Sequence, residues 1–227
     1  MYYDWTYLLY VGPGMLLAAL ASFWVRSTFS KYAQVPTARG WTGAEIASEL
    51  LRRSGILDVR VEPVGGSLSD HYDPSAKVLR LSPEVYGGRT VSAAGVAAHE
   101  AGHAIQHHVG YALMGVRQKL VMPARIGSQL SYFVIFGGIL LHLSGLAWFG
   151  VILFSAVFLF ELVTVPVEIN ASRRAGQKLV ELGLVTPSES QGVRAVLSAA
   201  AFTYIAALVT TLLTLLYFIS QINRRRD

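Results

Sequence analysis

The 227 residues include no cysteine. That absence excludes disulfides, thiolate metal sites and cysteine nucleophiles together, so any metal must be held by His, Asp or Glu. Charge is also scarce. Charged residues make up 15% of the chain against 53% hydrophobic, and the mean hydropathy is +0.45. Ordinary soluble domains carry about a quarter charged residues, so the composition points to a membrane protein. The net charge of +5 does not argue for a nucleic-acid partner, because the Arg and Lys residues flank apolar runs and form no single stripe. That distribution is the kind that sets membrane topology. There is no internal repeat and no low-complexity tail.

The first apolar run, 5–25, has no positive charge before it and no small-residue cleavage site after it. It therefore reads as a retained transmembrane helix and not as a signal peptide. Tyr2, Tyr3 and Trp5 are expected to anchor one end, with Arg26 beyond the other. Gly12-Pro13-Gly14 is expected to bend it. Composition turns soluble after it. Thr42-Gly43-Ala44-Glu45 is a capping-box pattern, opening a helix that Ser54-Gly55 closes. Two alternating stretches, around Val59-Val61 and at Lys77-Val78-Leu79-Arg80-Leu81, predict a two-stranded ribbon. Between them Asp70-His71-Tyr72-Asp73-Pro74 is a dense polar cluster that reads either as a turn or as part of a site. Ser82-Pro83-Glu84 opens a short helix ended by Gly87-Gly88, and later Gly183 ends a polar helix before Thr186-Pro187-Ser188-Glu189 caps another.

The run 91–114 contains His99-Glu100-Ala101-Gly102-His103. Histidines four apart on a helix sit about 40° apart around the axis and one turn along it, so both imidazoles reach one zinc ion. Glu100 is then placed to hold and deprotonate a water on that ion. Thr90 or Ser92 can cap this helix, and no proline appears before Pro123, which is expected to break the amphipathic stretch carrying Arg117, Lys119 and Arg125. A buried polar stripe is the plain alternative, but a carboxylate between two histidines in so apolar a segment is costly to bury without a role.

Catalytic zinc takes three protein ligands, and three residues compete for the third place. His107 lies two turns, about 12 Å, from His99, too far for one ion on a straight helix. The extended HExxHxxGxxH pattern fails because Gln106 and Val109 stand where Gly and His are required. Glu161 lies in an apolar span, an expensive position and so a functional candidate. Glu168 begins a polar helical stretch after the apolar run 130–165, whose only charge is Glu161. That run is long enough for two short spans with a turn near His142-Leu143-Ser144-Gly145. Apart from the metal, the strand Lys77–Leu81 offers an edge to which an extended substrate can add.

The order of HExxH, two membrane helices and a Glu-led helix resembles membrane gluzincin peptidases of the HtpX and CAAX-prenyl-protease kind. More closely, the chain resembles the bacterial YugP-like neutral zinc metallopeptidases. The resemblance rests on Trp41-Thr42-Gly43-Ala44-Glu45, Asp70-His71-Tyr72-Asp73-Pro74, Leu79-Arg80-Leu81-Ser82, the stretch from Gly95 through His99-Glu100-Ala101-Gly102-His103 to Gln106, and Pro166-Val167-Glu168-Ile169-Asn170-Ala171-Ser172-Arg173-Arg174-Ala175. It implies a zinc peptidase with His99, His103 and Glu168 as ligands and Glu100 as general base. One departure stands out. Four residues after the ligand Glu the broader pattern has Asp, which orients a zinc histidine, whereas this chain has Ser172. Asn170 or a backbone carbonyl is the expected substitute.

The expectation is thus an α-helical integral membrane protein with a small α+β zincin-type metallopeptidase domain and about four transmembrane helices. The segments are a first span at 1–26, a soluble α+β region at 27–128, a transmembrane hairpin at 129–166, polar helices at 167–198 and a last span at 199–222. It is expected to bind one zinc per chain and to hydrolyse peptide bonds in a peptide or membrane-protein substrate. His71, Tyr72 and Arg173 are candidate donors to the oxyanion. A non-catalytic membrane scaffold or adaptor retaining the zincin fold is the alternative, and a soluble enzyme with a very apolar core is a second. Arg26, Lys31, Arg117, Lys119, Arg125, Arg173 and Arg174 favour a multi-pass cell-membrane protein with a cytoplasmic active site. Arg224, Arg225 and Arg226 oppose that orientation.

Overall fold

The computed structural model describes residues Trp5–Arg224, so Tyr2, Tyr3, Arg225 and Arg226 lie outside the described residues. Seven helices and three short strands follow in the order α1 (Trp5–Tyr32), α2 (Gly43–Arg53), β1 (Arg60–Pro63), β2 (His71–Asp73), β3 (Val78–Leu81), α3 (Pro83–Tyr86), α4 (Val91–His108), α5 (Ala112–Leu140), α6 (Ser144–Glu181) and α7 (Pro187–Asn223). The local signals act where expected. Thr42 and Glu45 close a reciprocal capping box on α2. The Thr90 hydroxyl accepts from the Ala93 N–H at the start of α4, while Ser92 donates to the Phe29 carbonyl. Thr186 and Glu189 cap α7 in the same reciprocal way. Gly183, at φ +60°, ends α6.

The prolines behave differently from the sequence expectation. Pro123 was expected to break its stretch, yet α5 runs through it. Pro166 likewise lies inside α6, so the apolar run and the polar Glu168 stretch form one helix of 38 residues. A proline removes one backbone donor and crowds the preceding turn, but long apolar helices tolerate it when the freed groups are re-satisfied locally. Gly12-Pro13-Gly14 lies within a continuous α1, which is compatible with the bend expected there.

Two compact units share these helices. One comprises the chain up to Ser22, Gly115–Pro166 and the chain from Thr203. Its core gathers Val11, Ile135, Val151, Phe154 and Phe218, with Tyr132, Phe154 and Phe218 meeting edge to face at 5.5–5.7 Å between ring centres. Among the described residues three helices, α1, α6 and α7, are long and apolar enough to cross a membrane by length and composition. The first half of α5 carries Arg117, Lys119 and Arg125.

The other unit comprises Phe23–Met114 and Val167–Phe202 and is organised around α4. Ala93, Ala94, Ala97, Ala98, Ala101 and Ala104 are buried, and these small side chains let α2, the sheet and the end of α6 close on the helix from several sides. The strands form one sheet in the order β1-β3-β2, with β1 parallel and β2 antiparallel to β3. This corrects two expectations. The pair β1 and β3 is not a ribbon, and β3 is the central strand, so its edges are already occupied. The free edges belong to β1 and β2, and β2 comes from the polar cluster that allowed a turn reading. The turn reading of that cluster holds at its end. Asp73 Oδ1 accepts from the N–H groups of Ser75 and Ala76 and closes the turn, and Asp70 accepts from Ser82.

A candidate metal centre on the HExxH helix

His99 and His103 lie one turn apart on α4, and their rings meet edge to face at 4.7 Å. Glu168, near the middle of α6, approaches both. Its Oε2 lies 3.1 Å from His99 Nε2 and 3.5 Å from His103 Nε2. One ligand atom from each of the three residues falls within 4.8 Å of the others. Glu168 is 1% exposed, and a carboxylate is buried that deeply only when paired or bound to a metal. Two imidazole nitrogens and one carboxylate oxygen are a donor set that suits zinc. The residues present therefore fit such an ion.

The approach of α6 depends on Gly102. A Cβ at this position would lie 2.6 Å from the carbonyl oxygen of Ala171, so only glycine lets the two backbones come this close. Ala171 is three residues, about one turn, beyond Glu168. The close approach and the carboxylate's reach are therefore one feature.

Each imidazole is held from behind. Ser172 Oγ lies 3.1 Å from His99 Nδ1. Ser172, the departure noted in the sequence, thus occupies the orienting position itself. His103 Nδ1 lies 3.0 Å from Oε1 of Gln106, which is fully buried. Gln106 Nε2 donates to the Val167 carbonyl and to Asn170 Oδ1. Asn170, expected behind a histidine, stands one step further back, and Arg174 Nε also donates to it. Sequence reading passed over Gln106 because it broke a longer zinc motif. The available signal was its position three residues after His103, on the same helical face.

Glu100 is 8% exposed. Burial works against a charge on His103, but its hydrogen bond to Glu168 and the charges of Glu100 and Glu168 outweigh it and raise this imidazole above its ordinary range. The remaining candidates separate. Strand alternation turns Tyr72 toward α4, where its hydroxyl meets His107 Nδ1 at 2.9 Å. Burial, then the charges of Asp58 and Asp73, raise the phenol's pKa. A recess of about 230 Å³ there is lined by Tyr72, Ala104, His107, His108, Asp58 and Lys77 among others. His71 is on the opposite strand face, exposed, beside Ser69 and Arg80. Arg173 is exposed and lies about 140° around the helix from Glu168. The structure brings neither of these two to the cluster. His107 is exposed and bound to Tyr72, away from the three converging ligand atoms. Glu161 lies outside the cluster as well.

The family described as "Putative neutral zinc metallopeptidase" matches residues 7–223. A protein of Bacillus subtilis (strain 168) with the name "Putative membrane protease YugP" is 46% identical over 218 residues, which cover 94% of this chain and 97% of that protein. No solved structure matches the chain. With a match that spans nearly every residue and a His-His-Glu group that can hold the metal, the chain belongs to this family of neutral zinc metallopeptidases.

Proposed function

We propose that the chain is a membrane zinc endopeptidase of the gluzincin type, with His99, His103 and Glu168 holding one zinc and Glu100 as general base. The observation that carries this reading is the convergence of the three ligand atoms within 4.8 Å, on a helix whose residue between the histidines is a buried glutamate. When bound, zinc supplies Lewis-acid polarisation of the scissile carbonyl and lowers the pKa of water toward neutrality. Glu100 accepts the proton as the water oxygen bonds to the carbonyl carbon, and it delivers that proton to the amine nitrogen as the C–N bond breaks. Of the three expected oxyanion donors, only Tyr72 faces α4, but its hydroxyl is engaged by His107, so none of the three is assigned that role. The free edge of β2, packed on α4, takes the backbone of an extended substrate by strand addition.

In this reading the apolar second half of α5 is a fourth span, and the site faces the cytoplasm. Arg26, Lys31, Arg117, Lys119, Arg125, Arg173 and Arg174 support that orientation. Labelling Ser75→Cys in the otherwise cysteine-free chain tests it. Reaction with an impermeant thiol reagent outside intact cells would overturn the cytoplasmic assignment.

The activity is tested on the purified chain in detergent with unstructured peptide substrates. Hydrolysis should vanish with a chelator and return with zinc. Glu100→Gln should keep the metal and lose about 10²–10⁴-fold in rate. Undiminished cleavage by that variant removes the general-base role. A zinc-loaded wild type that cleaves nothing would favour the non-catalytic membrane scaffold.

A further inference from the structure

The two zinc-site histidines are not held in the same way. His99 Nδ1 faces a serine hydroxyl, which donates or accepts equally well. His103 Nδ1 faces Gln106 Oε1 at 3.0 Å, and that amide has no such freedom. Its other end lies 2.8 Å from the Val167 carbonyl oxygen, which only accepts. The same nitrogen lies 2.9 Å from Asn170 Oδ1. Asn170 is oriented in turn by Arg174 Nε at 2.7 Å, and a guanidinium only donates. Arg174 is itself seated over the Tyr111 ring.

The polarity of the chain follows from its ends. Arg174 donates, so the Asn170 atom it meets is the oxygen. That oxygen and the Val167 carbonyl both require the nitrogen of Gln106. The oxygen of Gln106 must then face His103, and His103 must carry its proton on Nδ1. Reversing the Gln106 amide would set acceptor against acceptor at both Val167 and Asn170, around a side chain that is fully buried. Amide and imidazole orientations are ordinarily assigned from their surroundings. Here two groups of invariant polarity decide them.

We propose that Gln106 is a positioning residue that presents His103 Nε2 to the metal, and that Arg174, through Asn170, sets the polarity of the relay holding it. This rests on the reading of His99, His103 and Glu168 as zinc ligands. The relay makes His103 the preset ligand, and the serine behind His99 leaves that residue the adaptable one.

The test measures zinc affinity by chelator competition, and thermal unfolding of the metal-free protein, on the full chain in detergent. Gln106→Leu removes the acceptor behind His103 and should weaken zinc binding by about 10–100-fold, the usual loss for a partner of a metal-bound histidine. Gln106→Glu keeps an acceptor there and should bind zinc within about threefold of wild type. Both variants lose the two bonds from Nε2, so both should lower the unfolding temperature of the metal-free chain. A purely structural Gln106 would lower affinity and stability together in both variants. Gln106→Glu binding as weakly as Gln106→Leu therefore overturns the proposal, as does wild-type affinity in Gln106→Leu. If Gln106→Leu does not fold, Arg174→Met at the half-buried end of the relay decides. It should weaken zinc binding by about threefold to tenfold, and unchanged affinity counts against the proposal. His103→Ala separates the two layers. Retained zinc in that variant sinks the ligand reading and the relay with it. Lost zinc there, beside unaltered affinity in the relay variants, sinks the relay alone.

Discussion

Replacing Gly102 by alanine should loosen the metal site without touching a ligand. The added Cβ would stand 2.6 Å from the Ala171 carbonyl oxygen, 3.2 Å from its carbon and 3.4 Å from its Cα. Carbon–oxygen contacts between packed helices settle at about 3.3 Å or more, so relief requires about 0.7 Å of movement. All three obstructing atoms are backbone, so no side-chain rotation supplies it, and Ala171 is fully buried. The helices must part, and Glu168, one turn away on α6, moves with them. Metal–ligand distances tolerate only about 0.2 Å. The expected result is an overpacking penalty of about 1–3 kcal/mol in the metal-free protein, with zinc affinity at least about tenfold weaker. Thermal unfolding and chelator competition in detergent read these two quantities separately. Gly176→Ala, on α6, is the control, because its Cβ would meet nothing within 4 Å. That change should stabilise by up to about 1 kcal/mol, as alanine does over glycine in a helix interior. Wild-type zinc affinity and unfolding temperature in Gly102→Ala would refute the close-approach argument.

Three further outcomes follow from the site and its surroundings. Glu168→Gln should strip most of the zinc while His107→Ala leaves it bound, and metal analysis showing the reverse would move the third ligand. Ser172→Ala should weaken zinc by about tenfold through the freed His99 ring, whereas Ser172→Asp should hold it at least as tightly as wild type; equal affinities in all three would mean that the hydroxyl orients nothing. Glu49 is held at a pKa of about 2 by hydrogen bonds from Arg52 and then Arg53. Because the folded value is depressed, its contribution is complete above the ordinary glutamate range and fades as pH falls toward 2, which a carboxyl NMR titration of Glu49 against Arg52→Ala would read directly.

Much of the site's first half was legible because it is local. The HExxH spacing, the Thr90 cap and the capping boxes at Thr42 and Thr186 each join residues within four positions, and helical geometry alone relates them. The strands were less legible. β2 is only three residues, His71-Tyr72-Asp73, too short and polar to show an alternating pattern. The parallel pairing of β1 with β3 involves neighbours that no local signal connects. Pro123 carried a genuine local signal for a break, yet α5 continues through it.

The sequence by itself determined that a metal centre would begin at His99 and His103, that cysteine chemistry was excluded and that several helices were apolar enough for a bilayer. Each of these depends on composition or on contacts within a helical turn. Glu168 follows His103 by 65 positions, and the residues alone left it competing with Glu161 until a family pattern favoured it. Only the tertiary structure carried its carboxylate to the histidines, by closing α6 onto Gly102. The same closure turned Ser172 from a departure into the partner of His99, and Gln106 from a failed motif position into the partner of His103. A hydrogen bond between two helices has no signature in either segment read alone, because its partner exists only once the backbones have met.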